Sequence, residues 1–153
     1  MSMPISSNII KEVETLISNE TSNIANMANV CTHLMERSGW HWVGFYTVDE
    51  VADELVLGPF QGPIACTRLK RGKGVCAKSW EENSTVVVEN VHEFEGHVAC
   101  SSISNSEVVI PVRKSRNVVA VLDIDSIEFN GFSSDEIKYL ELVVQKLESR
   151  WVG

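Results

Sequence analysis

Asp123 and Asp125 interrupt an otherwise apolar run, Val118-Val-Ala-Val-Leu-Asp-Ile-Asp-Ser126. Residues two apart on a strand share a face. Val119, Val121, Asp123 and Asp125 should therefore line one side, with Ala120, Leu122 and Ile124 on the other. Glu107 opens a second apolar run, Val108 to Val112. Directly opposed residues of an antiparallel pair point the same way. Glu107 joins the aspartates if the connecting loop holds an odd number of residues, and a loop of Ser115-Arg116-Asn117 sets it across from Asp125. Acids so placed repel one another, and taking them out of water costs free energy. At a wet strand end they would do nothing. Enclosed, they make a pocket for a cation, either a divalent metal on oxygen ligands or a ligand ammonium. An acid with a raised pKa could also donate a proton there.

The chain has four cysteines, Cys31, Cys66, Cys76 and Cys100. Cys31 shares a helical stripe with Ile24, Met27, Ala28, Leu34 and Met35 and reads as a buried small hydrophobe. The other three fall in the strand-and-loop middle. Cys100 follows His97 and precedes Glu107 by seven residues. Three thiols near a protonated carboxyl suit reduction of an oxidised substrate: a thiolate attacks, a second thiol displaces, and a disulfide results. Three ordinary buried cysteines are the plain alternative. A zinc site from His92, His97, Cys66, Cys76 and Cys100 is a weaker one, because no C-x-x-C pair occurs. Trp42 and Tyr46 share a face with Trp40, opposite His41, Val43 and Phe45. An aromatic wall suits a thioether, a sulfoxide or a cation, and core packing equally. Gly72-Lys-Gly74 lacks the spacing of a phosphate-binding loop.

These groups need a scaffold. Residues 5–18 carry Ile5, Ile9, Ile10, Val13, Leu16 and Ile17 at helical spacing. Asn19 to Thr21 breaks that helix and can cap a second, which Ser38-Gly39 ends. Strands are expected at Trp40–Val48, Glu54–Leu57 (stopped by Gly58-Pro59), Ile64–Leu69 and Thr85–Val88, with a short helix near Val75–Glu81. Residues 90–106 read as a long loop, the kind that is usually functional or mobile. Glu107–Val112 and Val118–Ile127 form a hairpin around Arg113–Asn117. In the last helix Ser133 and Glu136 make a capping box and Phe132 can staple onto Ile137. Its apolar face is Ile137, Leu140, Val143, Val144, Leu147 and Trp151. Helices at both ends of about six strands predict an α+β fold, an antiparallel sheet with helices packed on it.

At 153 residues, 44% hydrophobic and 22% charged, the chain is one globular domain. A net charge of −8 offers no basic excess for nucleic acid or an anionic membrane. The N-terminus lacks the basic and apolar regions of a secretory signal, and no apolar stretch nears a bilayer span. A cytoplasmic location follows as an expectation, and with it little use for a structural disulfide.

Several stretches resemble the free methionine-(R)-sulfoxide reductases, which are single-domain GAF proteins. They are Trp42-Val-Gly-Phe-Tyr46, Leu57-Gly-Pro-Phe-Gln-Gly62, Ile64-Ala-Cys66, Gly72-Lys-Gly-Val-Cys76, Gly96-His-Val-Ala-Cys100, Ser106-Glu-Val-Val-Ile-Pro111 and Val121-Leu-Asp-Ile-Asp125. The resemblance runs from about residue 20 to the C-terminal helix, with residues 1–20 a helical segment of one domain, 1–153. It implies that Cys100 is the nucleophile and Cys66 the usual resolving partner, with Cys76 also at the site and able to form the disulfide in some members. By the same resemblance Glu107, Asp123 and Asp125 bind and protonate the substrate, and Trp42 and Tyr46 surround the sulfoxide methyl. It implies free methionine sulfoxide as substrate, a thioredoxin-type reductant, no cofactor or metal, and a homodimer of the sort GAF domains often form. The competing reading is a GAF domain that only senses a small ligand, which predicts no thiol-dependent turnover.

Overall fold

A computed structural model describes residues 4–97 and 103–153. In chain order the elements are α1 (Asn8–Leu16), α2 (Asn23–Ser38), β1 (Trp42–Asp49), β2 (Glu54–Gln61), β3 (Arg68–Lys70), α3 (Gly74–Glu82), β4 (Val86–Val88), β5 (Ser106–Lys114), β6 (Asn117–Ser126) and α4 (Ser134–Arg150). The strands form one antiparallel sheet in the order β3-β2-β1-β6-β5-β4. The expected α+β architecture is what the chain adopts. Among the described residues no helix is long and apolar enough to cross a membrane.

Two apolar clusters divide the molecule at the sheet. On one face α1, α2 and α4 bury Ile9, Val13, Val30, Leu34, Leu140 and Leu147 against Val43, Phe45, Leu122 and Ile124. Cys31 is fully buried there, as its stripe predicts, with its thiol donating to the Pro59 carbonyl at 3.5 Å. On the other face α3 and the loops around it cover Trp42, Tyr46, Val109 and Val121. The helix ends follow local chemistry. Ser22, one residue beyond the expected Asn19–Thr21, caps α2 by accepting the Ala25 N–H. Gly39 ends it at φ 73°, where a side chain would be strained. Ser133 and Glu136 close the capping box of α4 with bonds of 3.1 Å each way.

Four expectations need correction. Strand β2 runs through Gly58-Pro59 to Gln61, because these two residues together oppose Phe45 in a bulge that absorbs the missing proline N–H. The stretch 64–67 is loop, and β3 begins only at Arg68. Trp40 precedes β1 and escapes its alternation. It packs in the helix-side core, 5.4 Å from the Phe132 ring, and shares no face with Trp42. The β5–β6 turn has two residues, Ser115 and Arg116, both at positive φ (52° and 71°), rather than three. An even loop would have sent Glu107 to the wrong side. A bulge restores the parity: Arg113 pairs with Val118 and Val112 with Ala120, leaving Val119 over. Val119 consequently packs on the helix side and Val118 on the acid side.

Candidate active site

The sheet assembles the acids in rows. Trp42, Asp125 and Glu107 stand side by side across β1, β6 and β5, and Gly44, Asp123 and Val109 form the next row. Glu107 does face Asp125, as the odd-parity register requires. All three carboxyls line one cavity together with Trp42, Tyr46, Cys76, His97 and Ser104. The cavity encloses about 50 Å³ open to the centres of water molecules.

Glycine makes the aromatic wall. A Cβ on Gly44 would stand 2.6 Å from Trp42 Cζ3 and 2.5 Å from Phe60 Cβ. The missing side chain lets the indole lie flat over the strand, stacked on Phe60 at 5.3 Å and on Tyr46 at 6.1 Å. Trp42 Nε1 donates to the Pro63 carbonyl at 3.0 Å, and the Tyr46 hydroxyl donates to the Cys66 carbonyl at 2.8 Å. Both polar tips thereby pin the 63–66 loop at the cavity edge. The first turn of α3, Gly74 to Cys76, forms another side. Lys73, at its N-cap, makes no side-chain cap bond. The leading amides of that turn border the cavity as donors.

Burial governs the electrostatics. Glu107 and Asp123 are each 6% exposed. Desolvation raises Glu107 well above the ordinary carboxyl range, and the charges of Asp123 and Asp125 push the same way. Asp125 is raised by burial and then by Asp123, against the pull of its hydrogen bond with Glu107. Burial raises Asp123 too, but hydrogen bonds from Glu107 and Cys76 hold it back. Burial thus raises all three carboxyls, and Asp123 is the one that accepts hydrogen bonds from both Glu107 and Cys76. Cys76 is buried and free, and desolvation followed by the three acids pushes its thiol well up. Its sulfur and the oxygens of Glu107 and Asp123 lie within 4.8 Å of one another. His97 Nε2 is 3.8 Å from Glu107 Oε1, and burial, then His92, lowers the imidazole pKa. His97 is a neutral base at this site and supplies no fixed positive charge.

Glu107, Asp123, Asp125, Trp42, Tyr46 and Cys76 therefore meet in one cavity. Cys66 is disulfide-bonded, beside the cavity-lining Ile64 and Ala65. Cys100 lies outside the described residues. Among the described residues the zinc set does not assemble: Cys66 has no thiolate to offer, and the His92 ring is bonded to Asn105 Oδ1 at 2.8 Å. Sequence reasoning missed Ser104, Leu69 and Val75, which also line the cavity. A lone serine in an aperiodic stretch carries no pattern, and Leu69 and Val75 read as ordinary core.

Residues 21–149 match the GAF domain family model. The chain is 42% identical over 139 residues to the free methionine-R-sulfoxide reductase of Escherichia coli, covering 90% of this chain and 83% of that one. The chain belongs to the free methionine-R-sulfoxide reductase family of GAF-domain proteins. A GAF domain-containing protein A of Dictyostelium discoideum is 46% identical over 142 residues, 93% of this chain and 89% of that one. The X-ray structure of the Neisseria meningitidis free methionine-R-sulfoxide reductase in complex with its substrate superposes with a TM-score of 0.93 at 41% identity. It covers 99% of this chain and 93% of that one. Helix α1 precedes the span matched by the family model, yet that structural likeness takes in nearly the whole chain.

Proposed function

We propose that this protein reduces free L-methionine (R)-sulfoxide to methionine with thiols as the reductant. One observation carries the reading: the buried Glu107 and Asp123, the half-buried Asp125 and a flat aromatic wall share a cavity that adjoins a disulfide-bonded cysteine. Free methionine sulfoxide has an α-ammonium that a peptide-bound residue lacks. Asp123, which has a buried oxygen without a hydrogen-bond partner, pairs with it. The leading amides of α3 suit the carboxylate end. Trp42 and Tyr46 take the apolar chain and the sulfoxide methyl. Enclosure makes the polar groups selective, because a ligand without the ammonium leaves a buried carboxylate unpaired.

Chemistry then needs a proton and two thiols. Glu107, pressed by both aspartates, carries the proton and donates it to the sulfoxide oxygen. The Cys100 sulfur attacks the substrate sulfur. The substrate S–O bond breaks, its oxygen ends on the Cys100 sulfur as a sulfenic acid as methionine departs, the two electrons coming from that cysteine, and Cys66 condenses with the acid to a disulfide, releasing water. A thioredoxin-type dithiol takes the disulfide and returns both thiols. Support for Cys66 as resolving partner is that it is disulfide-bonded while Cys31 and Cys76 are free. Cys76 is a poor candidate for either role, since its thiol is held protonated and spends that proton on Asp123.

A thioredoxin-coupled NADPH assay with the separated epimers tests the reading. Turnover of the free R epimer that is lost in Cys100→Ser is expected. Turnover retained by Cys100→Ser would refute the nucleophile, and turnover of neither epimer would refute the activity.

A further inference from the structure

Four buried side-chain atoms among the described residues have no hydrogen-bond partner: Trp40 Nε1, Ser104 Oγ, Asp123 Oδ1 and Arg150 Nε. Ser104 and Asp123 line the same cavity, at 5% and 6% exposure. A buried polar atom left unpaired is destabilising, so two at one cavity point to a ligand that completes them. We propose that Ser104 is a substrate-binding residue of the reductase, its hydroxyl joining the open oxygen of Asp123 in holding the α-ammonium of the free amino acid. The proposal rests on the reductase reading above.

Donor and acceptor counting selects the ammonium. A carboxylate oxygen only accepts, so the partner of Asp123 Oδ1 must donate. The substrate carboxylate and sulfoxide oxygen are acceptors. The ammonium has three N–H bonds and can serve the carboxylate and a serine oxygen together. The chain beside the serine is also held in advance. Its neighbour Asn105 is fixed by four bonds: its N–H donates to the Ser126 carbonyl at 2.8 Å, its carbonyl accepts from Val91 at 2.9 Å, and its amide bonds the Ile127 carbonyl at 2.7 Å and His92 at 2.8 Å. A backbone anchored at the next residue limits the ordering that the serine must undergo when the ligand arrives.

Ser104→Ala separates this role from a structural one. An unpaired hydroxyl contributes nothing to the empty protein, so the variant should melt at the wild-type temperature or above. Its KM for free methionine (R)-sulfoxide should rise about tenfold, with kcat within about twofold, as for loss of a hydrogen bond to a charged group. Ser104→Thr, which keeps the hydroxyl, should recover most of the affinity. In competition, 4-(methylsulfinyl)butanoate, the same chain without the amino group, should bind wild type and Ser104→Ala within about twofold of each other. A lowered melting temperature or an unchanged KM in Ser104→Ala would overturn the proposal, and equal weakening toward both compounds would overturn the ammonium assignment. An active wild type with an indifferent Ser104→Ala sinks this inference alone. A wild type inactive on the free sulfoxide sinks the reductase reading as well.

Discussion

Glu107→Gln should cost activity and add stability. Glutamine keeps the shape and, through its amide N–H₂, the donors facing Asp123 and Asp125, but it cannot deliver a proton. General acid catalysis is typically worth about 10²–10⁴-fold, so kcat should fall by at least about 10²-fold. The stability effect follows from burial. Glu107 in the folded protein holds its proton well above 4.5, the value of an unperturbed glutamate. The unfolded chain releases that proton as pH passes 4.5, while the folded one retains it. A raised folded pKa stabilises fully below pH 4.5, and that stability is lost as pH rises toward the folded value. Each retained proton removes about 1.4 kcal/mol of stability per pH unit. The Glu107 share grows from pH 4.5 until the pH passes the folded value, and the glutamine variant escapes it. Urea melts at pH 5 and pH 7 should show Glu107→Gln gaining more stability over wild type at pH 7 than at pH 5. A stability difference that does not change with pH, or a kcat within about threefold of wild type, would refute the argument that Glu107 is a buried, protonated acid.

Three further outcomes are expected. Gly44→Ala drives a methyl into the Trp42 ring and Phe60, and overpacking of this kind costs about 1–3 kcal/mol; thermal melts should record it, with a raised KM as the aromatic wall tilts. Cys66→Ser should release one methionine per enzyme from the free sulfoxide and then stall at a trappable sulfenic acid, whereas undiminished steady-state turnover with thioredoxin would assign the resolving role elsewhere. Burial pushes the Cys31 thiol up to about 12, so iodoacetamide at pH 8 should leave Cys31 unmodified in the native protein and label it only after denaturation, as peptide mapping would reveal.

The legible parts of this chain are those where one local rule acts alone. The capping box of α4 is written in Ser133 and Glu136, and burial of Cys31 in the period of α2. The meeting of Glu107, Asp123 and Asp125 was legible as well, although by a different route. The turn has two residues, and a bulge at Val119 supplies the odd count that a three-residue loop would have given. A bulge has no composition signal here, since Val118 and Val119 are the same residue and only their packing differs. Gly58-Pro59 hid the second half of β2 for the converse reason: residues that usually end a strand sit opposite Phe45 where the ladder is already broken. Trp40 misled because alternation was extended past the true start of β1. Ser104 was invisible because nothing in its neighbours' spacing distinguishes a hydroxyl aimed at a cavity from one in water.

Comparing free L-methionine (R)-sulfoxide with its N-acetyl derivative in single-turnover reactions of the reduced protein is the most direct test of the ammonium-seizing cavity. Acetylation removes the positive charge and leaves the sulfoxide untouched. Breaking a buried pair costs about 3–5 kcal/mol, so kcat/KM should fall by at least about 10²-fold. Equal rates on the two compounds would contradict the account, because the buried acids would then have no part in choosing the substrate.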